Sequence, residues 1–289
     1  MARFSRLSIG VVLLASVLAL AACSTTRLGY NYADWLAGSY ADRYFDLDGE
    51  QRDWVQARMR EHLDWHRSEE LQHYHAILSQ TLERASDGLV QEDLNWMANA
   101  WRLRYLVLAD RIIPDVAVLT SRLDDRQLAR FEARMQKDFA KQRKETAKLE
   151  PMEVRAKRTI RQIEGWTGRL DERQRARIAA LIKEFPTSED ESEADLERRE
   201  RRAAEYLAAL RAGRSTQELE AMLREWWTGF LSSEDQQAQA QLSGPAVDFL
   251  LAVDAMLTER QRERVVARID RYRRDVAALA GSRLELSAR

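Results

Sequence analysis

All four histidines of the chain, His62, His66, His73 and His75, fall within fourteen residues. His62 and His66 stand at i, i+4, a spacing at which two imidazoles on one helical face reach a single zinc or similar ion, with a carboxylate one turn further on. At about 100° per residue from Val55, the residues Met59, Leu63 and Ile77 define an apolar face, and His66, Glu70 and His73 fall inside it. Polar groups on such a face need partners or a purpose. His62, His66, Glu70 and His73 are therefore the candidate metal set, with no ligand identified from a second segment; the alternative is hydrogen-bonded histidines, such as His66 with Glu70. The metalloprotease pattern is absent, since Leu63-Asp64-Trp65 separates His62 from His66. There is no glycine-rich phosphate loop and no serine elbow, and the acids are spread as helix caps and i, i+4 partners. No enzymatic activity is expected. One cysteine in 289 residues leaves no intrachain disulfide or thiolate cage.

That cysteine, Cys23, closes a segment with Arg3 and Arg6 at its start, an apolar run from Ile9 to Leu20, and then Leu20-Ala21-Ala22-Cys23. The run is short for a span of about 20 residues and has the layout of a secretion signal. Leu20 to Cys23 resembles the lipobox of bacterial lipoproteins. The resemblance implies removal of residues 1–22, acylation of Cys23 and, with Ser24 rather than aspartate next, placement at the outer membrane facing the periplasm. Several acyl chains anchor stably where one is marginal. Apart from this covalent lipid and the metal at the histidines, no cofactor is expected, and export argues against nucleic acid as a partner.

A repeat runs through the rest. Leu47-Asp48-Gly49-Glu50-Gln51, Leu123-Asp124-Asp125-Arg126-Gln127, Leu170-Asp171-Glu172-Arg173-Gln174 and Leu257-Thr258-Glu259-Arg260-Gln261 share a register in which apolar residues follow at plus eight and plus twelve: Val55/Met59, Phe131/Met135, Ile178/Ile182 and Val265/Ile269. Each unit reads as a helix start, with Asp48, Asp124, Asp171 or Thr258 at the N-cap and Gln51, Gln127, Gln174 or Gln261 reaching back in a capping box. The units resemble the LTxxQ motif of the Spy/CpxP-type periplasmic family, small all-helical proteins with two motifs each. The aromatic lead around Tyr30–Trp35 and Asp42–Leu47 resembles an uncharacterised family of bacterial lipoproteins for which no activity is known.

The expected fold is all-α, an elongated multi-helix assembly of two tandem Spy-like halves. Residues 23–46 form a lipidated lead, 47–150 one half and 151–289 the other, with an acidic linker at 187–195. Few prolines and glycines (4 and 11) and 32% charged residues fit that class. A long helix is expected from Asp48 to Ser86, and another from Gln91 that stops before Pro114. The overall charge of -1 hides a contrast: residues 24–125 hold 11 Lys and Arg against 18 acids, whereas 126–177 hold 16 against 8. The basic middle either pairs with the acidic N-terminal half or attracts anionic head groups. Of eight tryptophans, Trp54, Trp65, Trp96 and Trp101 are the candidates for holding envelope proteins or unfolded clients, as the Spy-like resemblance implies. A metal-responsive stress sensor built on the histidines is the second expectation.

Overall fold

The computed structural model describes residues 30, 32–146, 151–184, 189–228 and 245–286. The signal sequence and Cys23 lie outside them. The described chain is helical throughout, as expected, with helices α1 (Ala33–Phe45), α2 (Gly49–Trp65), α3 (Leu71–Ser86), α4 (Gln91–Ser121), α5 (Asp125–Thr146), α6 (Met152–Thr167), α7 (Glu172–Glu184), α8 (Glu189–Arg211), α9 (Thr216–Thr228), α10 (Pro245–Ala255) and α11 (Glu259–Leu286). None is long and apolar enough to cross a membrane.

The four motif glutamines organise the fold. Each capping box closes in both directions: the Asp48, Asp124, Asp171 and Thr258 side chains accept from the glutamine N–H at 2.8, 2.7, 2.7 and 3.3 Å, and the glutamine Oε1 atoms accept from the cap N–H at 3.1, 3.0, 3.1 and 2.9 Å. The amide nitrogens then reach outward in pairs. Gln127 Nε2 donates to Gln51 Oε1 (2.6 Å) and to the carbonyl of Asp46 (3.0 Å), while Gln51 Nε2 donates to the carbonyl of Arg122 (3.1 Å). The second pair repeats this: Gln174 and Gln261 exchange amide bonds of 2.8 and 2.9 Å and donate to the carbonyls of Met256 and Arg169 at 2.9 and 3.1 Å. In all four cases the acceptor is the residue just before the partner motif's leucine, so each pair forms a joint with local two-fold character.

Between α2 and α3 the helix does not break. His66–Glu70 form a π turn in which the Leu71 N–H reaches back to the carbonyl of His66. A π turn holds an extra residue and rotates all that follows by roughly a quarter turn. Helices α2 and α3 thus make one rod from Gly49 to Ser86, about 55 Å long, with two differently aimed faces. Helix α4 runs back along it and passes straight through Pro114, contrary to the break expected there. A proline inside a helix costs about 3 kcal/mol, but Ile113 and Ala117 on either side are fully buried, so packing holds both turns in line.

The sequence boundary at residue 150 is not a boundary in space. The most extensive helix contact joins α3 to α11, followed by α4 with α9 and α5 with α8, and all three cross it. The turn between α3 and α4 is gripped from the far end of the chain. Asp254 accepts the Leu89 N–H at 2.8 Å and pairs with Arg262 at 2.8 Å, and Arg262 also donates to the Ala85 carbonyl at 3.3 Å. Of the expected acidic linker, residues 187 and 188 lie outside the described residues, and the backbone from Glu189 onward belongs to α8; acids suit the positive end of a helix dipole.

Candidate functional site

Helices α1, α2, α4, α5, α8 and α9 enclose a cleft of about 830 Å³ beside the first glutamine joint. Its walls are mostly aromatic and aliphatic. Phe131, Met135 and Phe139 follow one another at i, i+4 and i+8 on α5, extending the plus-eight and plus-twelve register by a turn; Val55 and Met59 hold the same positions on α2. Trp54 comes from α2, and Trp226 and Trp227 from α9. Beneath lies the largest buried cluster, with Ile113, Ala117, Leu128, Tyr206, Leu219 and Leu223 at its centre. Phe45 closes one end against Phe131, ring centroids 4.9 Å apart.

The polar groups at the cleft are neutralised in place. Asp115 accepts from Arg58 Nε at 2.8 Å and lies 2.7 Å from His62 Nε2. Burial holds the His62 imidazole below its ordinary 6.5, with Asp115 pulling the other way and Arg111 and Arg58 adding to the lowering; the neutral ring donates from Nε2. Asp138 accepts from the Tyr44 hydroxyl and sits 3.3 Å from Arg134. The Tyr44 bond holds that carboxyl below the usual range, and burial, reinforced by Asp138, raises the Tyr44 hydroxyl. Tyr206 shares a 2.7 Å hydrogen bond with Thr120, and burial pushes its hydroxyl up to about 12. Such an arrangement offers an apolar ligand a dry surface and no unbalanced carboxylate.

The candidate metal set is not gathered. His62 turns to Asp115, and Glu70 is buried against Arg104 at 3.1 Å. His66 lies between Tyr30 (Nδ1 to hydroxyl 2.8 Å) and Tyr74 (Nε2 to hydroxyl 3.3 Å). His73 is exposed. His62, His66 and Glu70 are kept apart by these separate partners, and for His73 the π turn swings residues beyond Glu70 off the face that a regular helix would give them. Among the described residues no three His, Cys, Asp or Glu side chains form a metal-sized group.

Of the four tryptophans singled out in the sequence, only Trp54 lines the cleft, with Arg122 over its ring at 5.6 Å. Trp65 lies under Arg111 at 4.5 Å and donates to Glu69 at 3.0 Å. Trp96 lies under Arg84 at 4.6 Å, and Trp101 packs on Tyr74 with centroids 5.2 Å apart. The walls that sequence reading missed, Phe139 and the Trp226-Trp227 pair, were signalled by continuation of the motif register and by an adjacent aromatic pair that no single helical stripe can bury. Part of the basic middle does pair with acids before it: Arg126 and Arg130 both reach Asp46, at 2.5 and 3.5 Å.

Residues 43–232, more than half of the chain, match the model of DUF6279, a family of unknown function. The chain belongs to that family. The DUF6279 match takes in α2 through α9 and hence the cleft walls apart from most of α1; the Thr258 motif and α11 lie beyond it. No curated protein and no solved structure matches the chain.

Proposed function

We propose that this chain is a non-enzymatic lipoprotein, anchored through Cys23 to the periplasmic face of the outer membrane, which holds apolar segments of other envelope proteins in the cleft between α1, α2, α4, α5, α8 and α9. The cleft carries the reading: about 830 Å³ walled by aromatic side chains, with each ionisable group at its edge already paired. A few large side chains on one face of a partner helix fill such a volume, the helix-in-groove mode of recognition. The resemblance of the four motifs to LTxxQ units supports a client-holding surface, as in Spy-like proteins, and the pairing of the motifs gives that surface a rigid frame. The lipobox at Leu20–Cys23 supports the anchor.

An aggregation assay on unfolded clients tests the cleft. The parent chain should suppress aggregation near one-to-one, and Phe139→Lys should lose most of that effect while keeping its helical circular dichroism. Equal suppression by Phe139→Lys, or none by the parent across several clients, would overturn the assignment. Mass spectrometry of the purified protein, compared with Cys23→Ala, tests the anchor: a diacylglyceryl mass on residue 23 is expected.

A further inference from the structure

Helix α1 has one face largely open to solvent among the described residues. Tyr32, Trp35, Leu36 and Tyr40 are 58%, 67%, 51% and 60% exposed, and they fall with Arg43 on a single side of the helix. Buried Gly38 lies on the opposite side, where α1 packs on α2. Two tyrosines, a tryptophan and a leucine in contact with water are costly on a helix this short. Tyr and Trp, with an apolar ring and a polar tip, are the side chains that settle at a membrane interface. Of the acids of α1, Asp34 lies on the far side of the helix from Arg43 by its register, and Asp42, seven residues after Trp35, is paired with Arg52 at 2.8 Å. With Asp42 balanced by Arg52, Arg43 supplies the remaining charge of this face among the described residues of α1, suited to anionic head groups.

The chain outside the described residues says what covers this face. Cys23 precedes Tyr32 by nine residues, which fully extended reach about 30 Å. A lipid on Cys23 therefore keeps α1 within that distance of the bilayer, closer in sequence than α2 to α11. We propose that the exposed face of α1 lies in the head-group layer of an anionic phospholipid membrane, adding a second contact to the acyl anchor. Leu36 and Tyr40 also line the cleft, so this contact sets the lip of the cleft at the membrane surface. The orientation rests on the proposed anchor; the lipid affinity of α1 does not.

The test uses the unacylated chain starting at Ser24, which retains every described residue, with vesicles of phosphatidylethanolamine and phosphatidylglycerol. The protein should float with the vesicles. Tyr32→Ser/Trp35→Ser, at positions outside the cleft lining, should weaken flotation at least about tenfold without altering client suppression in solution. Trp101→Ser, removing a partly exposed tryptophan elsewhere, should leave flotation unchanged. An environment-sensitive dye on Trp35→Cys, then the one thiol in the chain, should shift to the blue with vesicles. Undiminished flotation of the double variant, no flotation of the parent, or a dye shift that depends on protein concentration rather than on lipid would overturn the proposal, the last by showing that a second copy covers the face. Loss of client suppression with lipid binding intact would instead strike at the cleft.

Discussion

The two glutamine joints share the same hydrogen bonds but sit on different ground. Gln174 and Gln261 cap a core of Ala156, Leu170, Ile178, Ile182 and Val253, and the hollow of about 600 Å³ beside them is lined mainly by the polar cap residues Asp171, Arg173, Gln174, Arg177 and Thr258 rather than by aromatic walls. Gln51 and Gln127 stand beside a cleft large enough for several side chains. The difference lies eight and twelve residues downstream. Ile178 and Ile182 are β-branched and buried in the second core, whereas Met59, Phe131 and Met135, at the corresponding positions of the first pair, are large or flexible side chains that line the cleft. A motif repeated four times therefore fixes the frame, and the residues after it decide whether the frame is filled or left open for a ligand.

Core truncation gives the sharpest contrast. Ile178→Ala, at a site with 0% exposure, is expected to cost about 2–5 kcal/mol in urea unfolding. Met135→Ala, facing the cleft, should cost less than half as much; equal losses would show that the first frame is as tightly filled as the second. The joints come next. Gln127→Ala strips two donated bonds and the back-bond to the Asp124 N–H at a buried position, and about 2–3 kcal/mol should go with it. Gln51→Ala, at a more exposed site, should lose nearer 1 kcal/mol. In the second joint, Gln174→Ala and Gln261→Ala should be similar, with a coupling of about 0.5–3 kcal/mol in a double-mutant cycle.

Acid should weaken the cleft side in particular. His62 and His66 are both held below their ordinary value by burial, so the unfolded chain takes up their protons first as pH falls. Their contribution to stability is fully present above about pH 6.5 and is lost as pH drops below it. Denaturation midpoints measured from pH 7.5 down to pH 5 (roughly the window of histidine titration) should fall, and His62→Gln, which keeps a donor for Asp115, should flatten the decline. A slope unchanged by that substitution would remove His62 from the account. The smallest effect is expected at Arg126, whose pair with Asp46 is largely open to solvent: Arg126→Ala should change stability by less than about 1 kcal/mol.

Sequence pattern reached the frame more readily than the site. The four capped starts and the long helix from Asp48 to Ser86 follow from residue types at fixed local spacing, and capping is a local interaction. The aromatic walls were only half legible, because Trp65, Trp96 and Trp101 share a residue type with Trp54 but pack elsewhere, the first two under arginines and the third on Tyr74, and nothing in a linear chain states which helices converge. The grouping of His66, Glu70 and His73 on one face failed for a different reason. Periodicity assumes a constant turn, and five residues of π geometry break that assumption without any proline or glycine to announce it. Pro114 erred in the opposite direction, a local stop signal overridden by the burial of its neighbours.

The π turn at His66–Glu70 acts as a phase shifter. Upstream of it the rod points Val55 and Met59 at the cleft; downstream it points Leu71 and Ile77 into the body of the protein, where α3 and α11 make the broadest contact between helices. Without the added residue, one straight helix would present a single bearing to two neighbourhoods that lie at different azimuths around it. Deleting one residue between His66 and Glu70 would leave both glutamine joints chemically intact and yet dial α3 away from α11. The two frames would come apart through loss of alignment, with every bond inside each of them preserved.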